Sequence, residues 1–207
     1  MAKHWILTFT LAAALLIQAC SPQNNPPQTQ CGFVMNTKSQ RVSWGERVPV
    51  LMYADPTVPQ AYYPAVQRAM ARWNQVLGRE VVKLVGSIGS FPNERQDGVN
   101  VIYFRSNWSE SEQMRSKQAI TTIHWAGSQI FEADLAVNTR HFRYSTAEAP
   151  SASEVDFESL MVHEIGHVLG LDHEDSQFTV MAEKLPGGVV RRDVPASDAQ
   201  NLNCEYP

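Results

Sequence analysis

One stretch of the chain restricts the fold more than any other: His163-Glu164-Ile165-Gly166-His167-Val168-Leu169-Gly170-Leu171-Asp172-His173, or H-E-x-x-H-x-x-G-x-x-H. On an α-helix the spacing of His163 and His167 advances about 6 Å and returns nearly to the same face. Two imidazoles so placed can hold one Zn²⁺ at about 2.0–2.1 Å. Glu164 cannot be a further ligand from that helix, but it can reach a metal-bound water and take its proton. Gly170 lets the chain leave the helix by a left-handed turn that a Cβ would oppose. That turn returns His173 as a third ligand. Three protein ligands leave a fourth position open, the pattern of catalytic rather than structural zinc. Leu160, Met161, Ile165, Val168 and Leu169 give the helix a thick apolar side, so it must be buried and its polar residues must find partners.

The motif resembles that of the metzincin clan of zinc endopeptidases. The wording H-E-I-G-H-V-L-G-L-D-H, followed by Phe178-Thr179-Val180-Met181-Ala182, is most similar to the matrixin branch. The resemblance implies one catalytic zinc on His163, His167 and His173, Glu164 as general base, and Met181 as the clan's Met-turn. It also implies an α/β (α+β) metzincin fold: a twisted mixed sheet of about five strands with one antiparallel edge strand, an active-site helix and a C-terminal helix. In that clan the edge strand pairs with the substrate backbone, and by position it is Ala119–Trp125. For His124 and Trp125 an ordinary edge strand is at least as good a reading as substrate contact. The segment Pro195 to Tyr206 resembles the matrixin closing helix, in which Asp198 would hold the Met-turn from beneath; alone, Asp198 reads as a helix N-terminal charge.

Departures from the matrixin pattern are informative. Glu132-Ala133-Asp134-Leu135-Ala136-Val137-Asn138 resembles the strand written Asp-Ala-His-Phe-Asp-Asp, with Leu135 in place of the His and no His-x-Asp upstream. No second, structural zinc is expected. The Asp- and Gly-rich loop is missing too, which argues against structural Ca²⁺. Ala182-Glu183-Lys184 replaces the usual Pro-x-Tyr after the Met, so the shape of the specificity pocket does not follow from the resemblance.

At the other end, a weakly basic start precedes an apolar run from Trp5 to Ile17, with the length of a signal-peptide core and too short for an ordinary membrane span. It closes in Ile17-Gln18-Ala19-Cys20, which resembles a bacterial lipobox. Residues 1–19 then form a lipoprotein signal peptide and Cys20 receives the lipid; a plain secretory signal cut near Ala19 is the alternative. Residues 20–30, rich in Pro, Gln and Asn, read as a disordered tether. The expected location is the bacterial cell envelope, lipid-anchored, with the outer membrane weakly preferred because no Asp follows Cys20.

Residues 31–207 are one domain's worth of chain. Hydrophobic content of 43% and charge of 18% are ordinary for a globular protein. A net charge of −4 gives no footprint for nucleic acid. The expected partners are a protein or peptide substrate and, through the lipid, a membrane; a monomer is expected. Of 3 Cys, a lipidated Cys20 leaves Cys31 and Cys204, and an even pair in an exported chain reads as a disulfide. The rival is a matrixin-like latency switch with Cys31 on zinc. Gln30-Cys31-Gly32-Phe33 lacks the Arg before and the Asp after that such a switch carries.

Periodicity predicts strands over Val48–Tyr53, Glu80–Val85 and Val99–Phe104, and a helix over Gln60–Leu77 stopped by Gly78. Gly86–Asp97 and Asn107–Lys117 read as loops. Ala119–Trp125 and Ile130–Asn138 read as a hairpin. Ser153 and Asp156 both have the chemistry to cap the active-site helix. Two other functions compete with an endopeptidase: a binding protein that keeps the fold without chemistry, and a zinc amidase acting on cell-wall peptides. The intact Glu164 argues against the first, and only location suggests the second.

Overall fold

The computed structural model describes residues 29–89 and 96–207. The segments expected to form a signal peptide and most of a tether, with Cys20 between them, lie outside the described residues. In chain order the elements are β1 (Val50–Ala54), a 3₁₀ turn (Gln60–Tyr62), α1 (Tyr63–Leu77), β2 (Val82–Ser87), β3 (Asn100–Arg105), α2 (Glu112–Arg115), β4 (Ala119–Ala126), β5 (Gln129–Asn138), β6 (Tyr144–Ser145), β7 (Val155–Asp156), α3 (Phe157–Val168) and α4 (Ala196–Asn203). A five-stranded sheet runs in the order β2-β1-β3-β5-β4. β1, β2, β3 and β5 are parallel neighbours, and β4 alone is antiparallel, at the edge. The α+β architecture is the one the resemblance implies. No described helix is long and apolar enough to cross a membrane.

The apolar pattern explains these layers. On α1, Ala65, Val66, Ala69, Met70 and Trp73 form a buried stripe. β3 is buried through four consecutive residues, as expected for a strand covered on both faces. α1 and α3 pack together, tied by Trp73 Nε1 donating to the Val162 carbonyl at 2.8 Å.

Boundaries differ from the sequence expectation for local reasons. The helix expected from Gln60 begins as a 3₁₀ turn, and α1 proper starts at Tyr63 with Pro64 in its first turn. β2 starts at Val82 rather than Glu80, because Asn74 Oδ1 accepts the Val81 and Val82 N–H groups at 2.7 and 3.1 Å and caps the strand entry. β1 starts at Val50 rather than Val48. The segment expected to be irregular, 107–117, contains α2, onto which Trp108 folds with Nε1 donating to Met114 O at 2.8 Å. Asp156, not Ser153, caps α3, accepting the Ser159 N–H at 2.8 Å.

The end of α3 is fixed with unusual completeness. Gly170, at φ 101°, carries the chain out of the helix, and a Cβ there would strike the Val42 carbonyl. Leu171 N–H donates to Gly166 O and Gly170 N–H to His167 O, the two bonds of a Schellman motif. The next two carbonyls are taken by side chains: Trp44 Nε1 donates to Val168 O at 2.7 Å and Tyr206 Oη to Leu169 O at 2.7 Å. Val34 N–H takes Gly170 O, and Asp172 N–H donates to Gly32 O. The segment from Cys31 and the end of α4 therefore meet beneath this turn, and Cys31 and Cys204 are bridged with Cα atoms 6.4 Å apart.

Candidate active site

α3 and the turn after it bring His163, His167 and His173 together, with a donor atom of each within 4.8 Å of the others. His163 Nδ1 lies 2.8 Å from the Val180 carbonyl, and His167 Nδ1 lies 2.7 Å from the Leu171 carbonyl. A carbonyl only accepts, so both Nδ1 atoms carry the proton and both Nε2 lone pairs point inward. The two Nε2 atoms face each other at 3.0 Å. Two lone pairs at that separation repel unless a cation lies between them; a tetrahedral zinc with about 2.05 Å bonds sets its nitrogens roughly 3.3 Å apart. The donor set fits zinc, and the carbonyls hold each ring in the tautomer a ligand requires. Burial is the main cause that pushes both His163 and His167 down to about 4, so both stay neutral at physiological pH.

The support continues outward from the three histidines. Val180, whose carbonyl holds His163, donates its N–H to Asp198 Oδ2 at 2.8 Å. Thr179 Oγ1 donates to the same carboxylate at 2.6 Å and accepts Met181 N–H at 3.0 Å. Of the two readings of Asp198, the structure thus shows the one in which it holds the Met181 turn from beneath. Met181 is buried under α3, its sulfur so close to Gly166 that any Cβ there would collide. Asp172 is exposed and accepts the His173 N–H at 2.8 Å.

A cleft of about 840 Å³ opens over the three histidines, between β4 and the segment 182–186. Glu164 is 5% exposed and lines it, next to His163 and His167. Burial pushes its carboxyl up, opposed by the neighbouring imidazoles and a hydrogen bond from Thr121. His124 and Trp125 do not line the cleft: His124 Nε2 faces Glu132 at 3.7 Å, and Trp125 follows a register shift in β4 and points into solvent.

A Matrixin family model matches residues 50–206, most of the chain. The chain belongs to the matrixin family. It is also similar to Metalloendoproteinase 5-MMP of Arabidopsis thaliana, 35% identical over 57 residues that cover 28% of this chain and 16% of that protein. Matrixins are zinc-dependent endopeptidases, and the His163–His167–His173 arrangement is the donor set such a domain requires.

Sequence reading alone did not single out several residues of this matrixin site. Trp44 and Tyr206 secure the turn that carries His173, and Gln118 Nε2 donates to Leu185 O at 2.8 Å, tying the start of β4 to the opposite wall of the cleft. Thr121 donates to Glu164 Oε2 at 2.7 Å. For Thr121 a signal existed: a hydroxyl at an inward position of a strand otherwise apolar on that face.

Proposed function

We propose that this matrixin is an exported zinc endopeptidase whose general base is Glu164. The observation that carries the reading is that Glu164 lines the same cleft as His163, His167 and His173, its carboxyl feeling the charge of His167 and His173, while the Nδ1 atoms of His163 and His167 are each engaged by a carbonyl. Zinc held by the three histidines supplies Lewis acidity, polarising a carbonyl and lowering the pKa of water to near 7. Glu164 takes a proton from the attacking water as its oxygen bonds to the scissile carbonyl carbon. It then delivers that proton to the amide nitrogen as the C–N bond breaks. The free edge of β4 runs along the cleft and offers unpaired backbone groups to an extended peptide.

Glu164→Gln is nearly isosteric and leaves the three ligands intact. It should keep zinc and lose about 10²–10⁴-fold in turnover. His167→Ala should lose both zinc and activity. Wild-type turnover in Glu164→Gln would show that another group is the base. The amino-terminal reading belongs to the same proposal: Cys20 carries a lipid, and the tether keeps the domain near the envelope surface. A chain that takes up no labelled palmitate, and none when Cys20 is the only candidate acceptor left, would remove that part.

A further inference from the structure

β4 turns Ala119, Thr121 and Ile123 toward the helical layer, opposite Val137, Leu135 and Ala133 of β5, which are fully buried. Thr121 is the one hydroxyl among those three inward positions. Thr121 is half-buried and lines the cleft, and its hydroxyl has found a protein partner there. Its short bond is the 2.7 Å one to Glu164 Oε2; the Glu164 carbonyl is at 3.4 Å. A length of 2.7 Å is typical of a hydroxyl donating to a carboxylate. A hydroxyl has one proton to give. Given to Oε2, it anchors one oxygen of a carboxylate that lines the cleft and leaves Oε1, which takes no hydrogen bond among the described residues, as the oxygen open to a further donor.

We propose that Thr121 is a positioning residue for hydrolysis: it holds Glu164 so that Oε1 is the oxygen that accepts and returns the proton. The inference rests on Glu164 being the base. It ties the orientation of the base to the edge strand along which an extended peptide would lie.

Thr121→Val preserves shape and removes the donor; Thr121→Ser restores the donor without the methyl. Measured beside Glu164→Gln on a fluorogenic peptide, Thr121→Val should lose about tenfold in kcat with KM within about twofold. Zinc affinity, read separately by chelator competition, should be unchanged in both Thr121 variants. Thr121→Ser should recover most of the lost kcat. Wild-type kcat in Thr121→Val, an effect on KM alone, weakened zinc affinity, or a serine variant as slow as the valine variant would each overturn the proposal. If Glu164→Gln is inactive while Thr121→Val is unimpaired, Thr121 fails and the base reading stands. If Glu164→Gln turns over like wild type, both fail.

Discussion

His163 and His167 are each held by a backbone carbonyl at Nδ1 and pushed by burial down to about 4. This has a consequence for the metal-free protein. In the unfolded chain these imidazoles bind protons near pH 6.5. Between about pH 6.5 and about 4 the unfolded state therefore holds more protons than the folded one, and stability falls as pH drops through that window. Each histidine contributes a slope of about 1.4 kcal/mol per pH unit there. Denaturant titrations of chelator-treated protein from pH 7 to 4 should show this slope, reduced by about one proton in His167→Gln. A slope identical in the two proteins would mean that His167 is not buried neutral. The clustering of His163, His167 and His173 was legible from sequence because the motif is local: one helix and one glycine turn place all three rings. Thr121 was not, because its partner stands 43 residues away and only the register of β4 against α3 brings them together.

At the scale of elements, α3 is positioned from both ends. Its C-terminal carbonyls are taken by Trp44, 124 residues from Val168, and Tyr206, 37 residues from Leu169. No short-range pattern reports pairings of that separation. The N-terminus is held by Asp156, which caps the helix and pairs with Arg192, with Nε at 3.0 Å. Burial alone would raise the Asp156 carboxyl, but Arg192 and Ser159 outweigh it and hold the group below the usual carboxylate range. Its contribution is present above the ordinary carboxylate pKa and is lost as pH falls through the folded one. Asp156→Ala removes a helix cap and the main charge partner of a guanidinium that is 16% exposed, leaving Arg192 the Ala147 carbonyl at 2.6 Å and Glu158 at 3.9 Å. We expect a loss of about 3 kcal/mol or more in denaturant unfolding. A loss under about 1 kcal/mol would show that water replaces the pair freely. The cap was readable as a choice between Ser153 and Asp156; Arg192 decides it from a loop that sequence patterns leave unplaced.

The whole molecule is closed on itself by Cys31–Cys204, which joins residues 173 positions apart. The chain-entropy model assigns such a loop about 4–5 kcal/mol, on the order of a 10 °C change in Tm for a domain of this size. Reduction, or Cys31→Ser, should lower Tm by that order; an unchanged Tm would mean that packing of Phe33 and Tyr206 alone holds the ends. The mixed sheet of five strands, its antiparallel edge and both long helices could be anticipated from apolar periodicity and the resemblance, whereas the strand order comes from the structure. The packing of residues 31–45 beneath the active-site turn could not be anticipated, because the apolar residues of that stretch follow neither a helix nor a strand period, and its role appears only when Phe33, Val42 and Trp44 are seen buried. What the assembled site is proposed to supply is zinc-dependent endopeptidase activity. The most direct test loads the domain from Cys31 onward with zinc, measures bound metal, and follows cleavage of casein and of cell-wall peptides before and after chelation. The expected result is one zinc per chain and casein cleavage that stops with chelator and returns with added zinc. A chain that holds zinc and cleaves neither substrate, or cleaves casein equally well without metal, would contradict it.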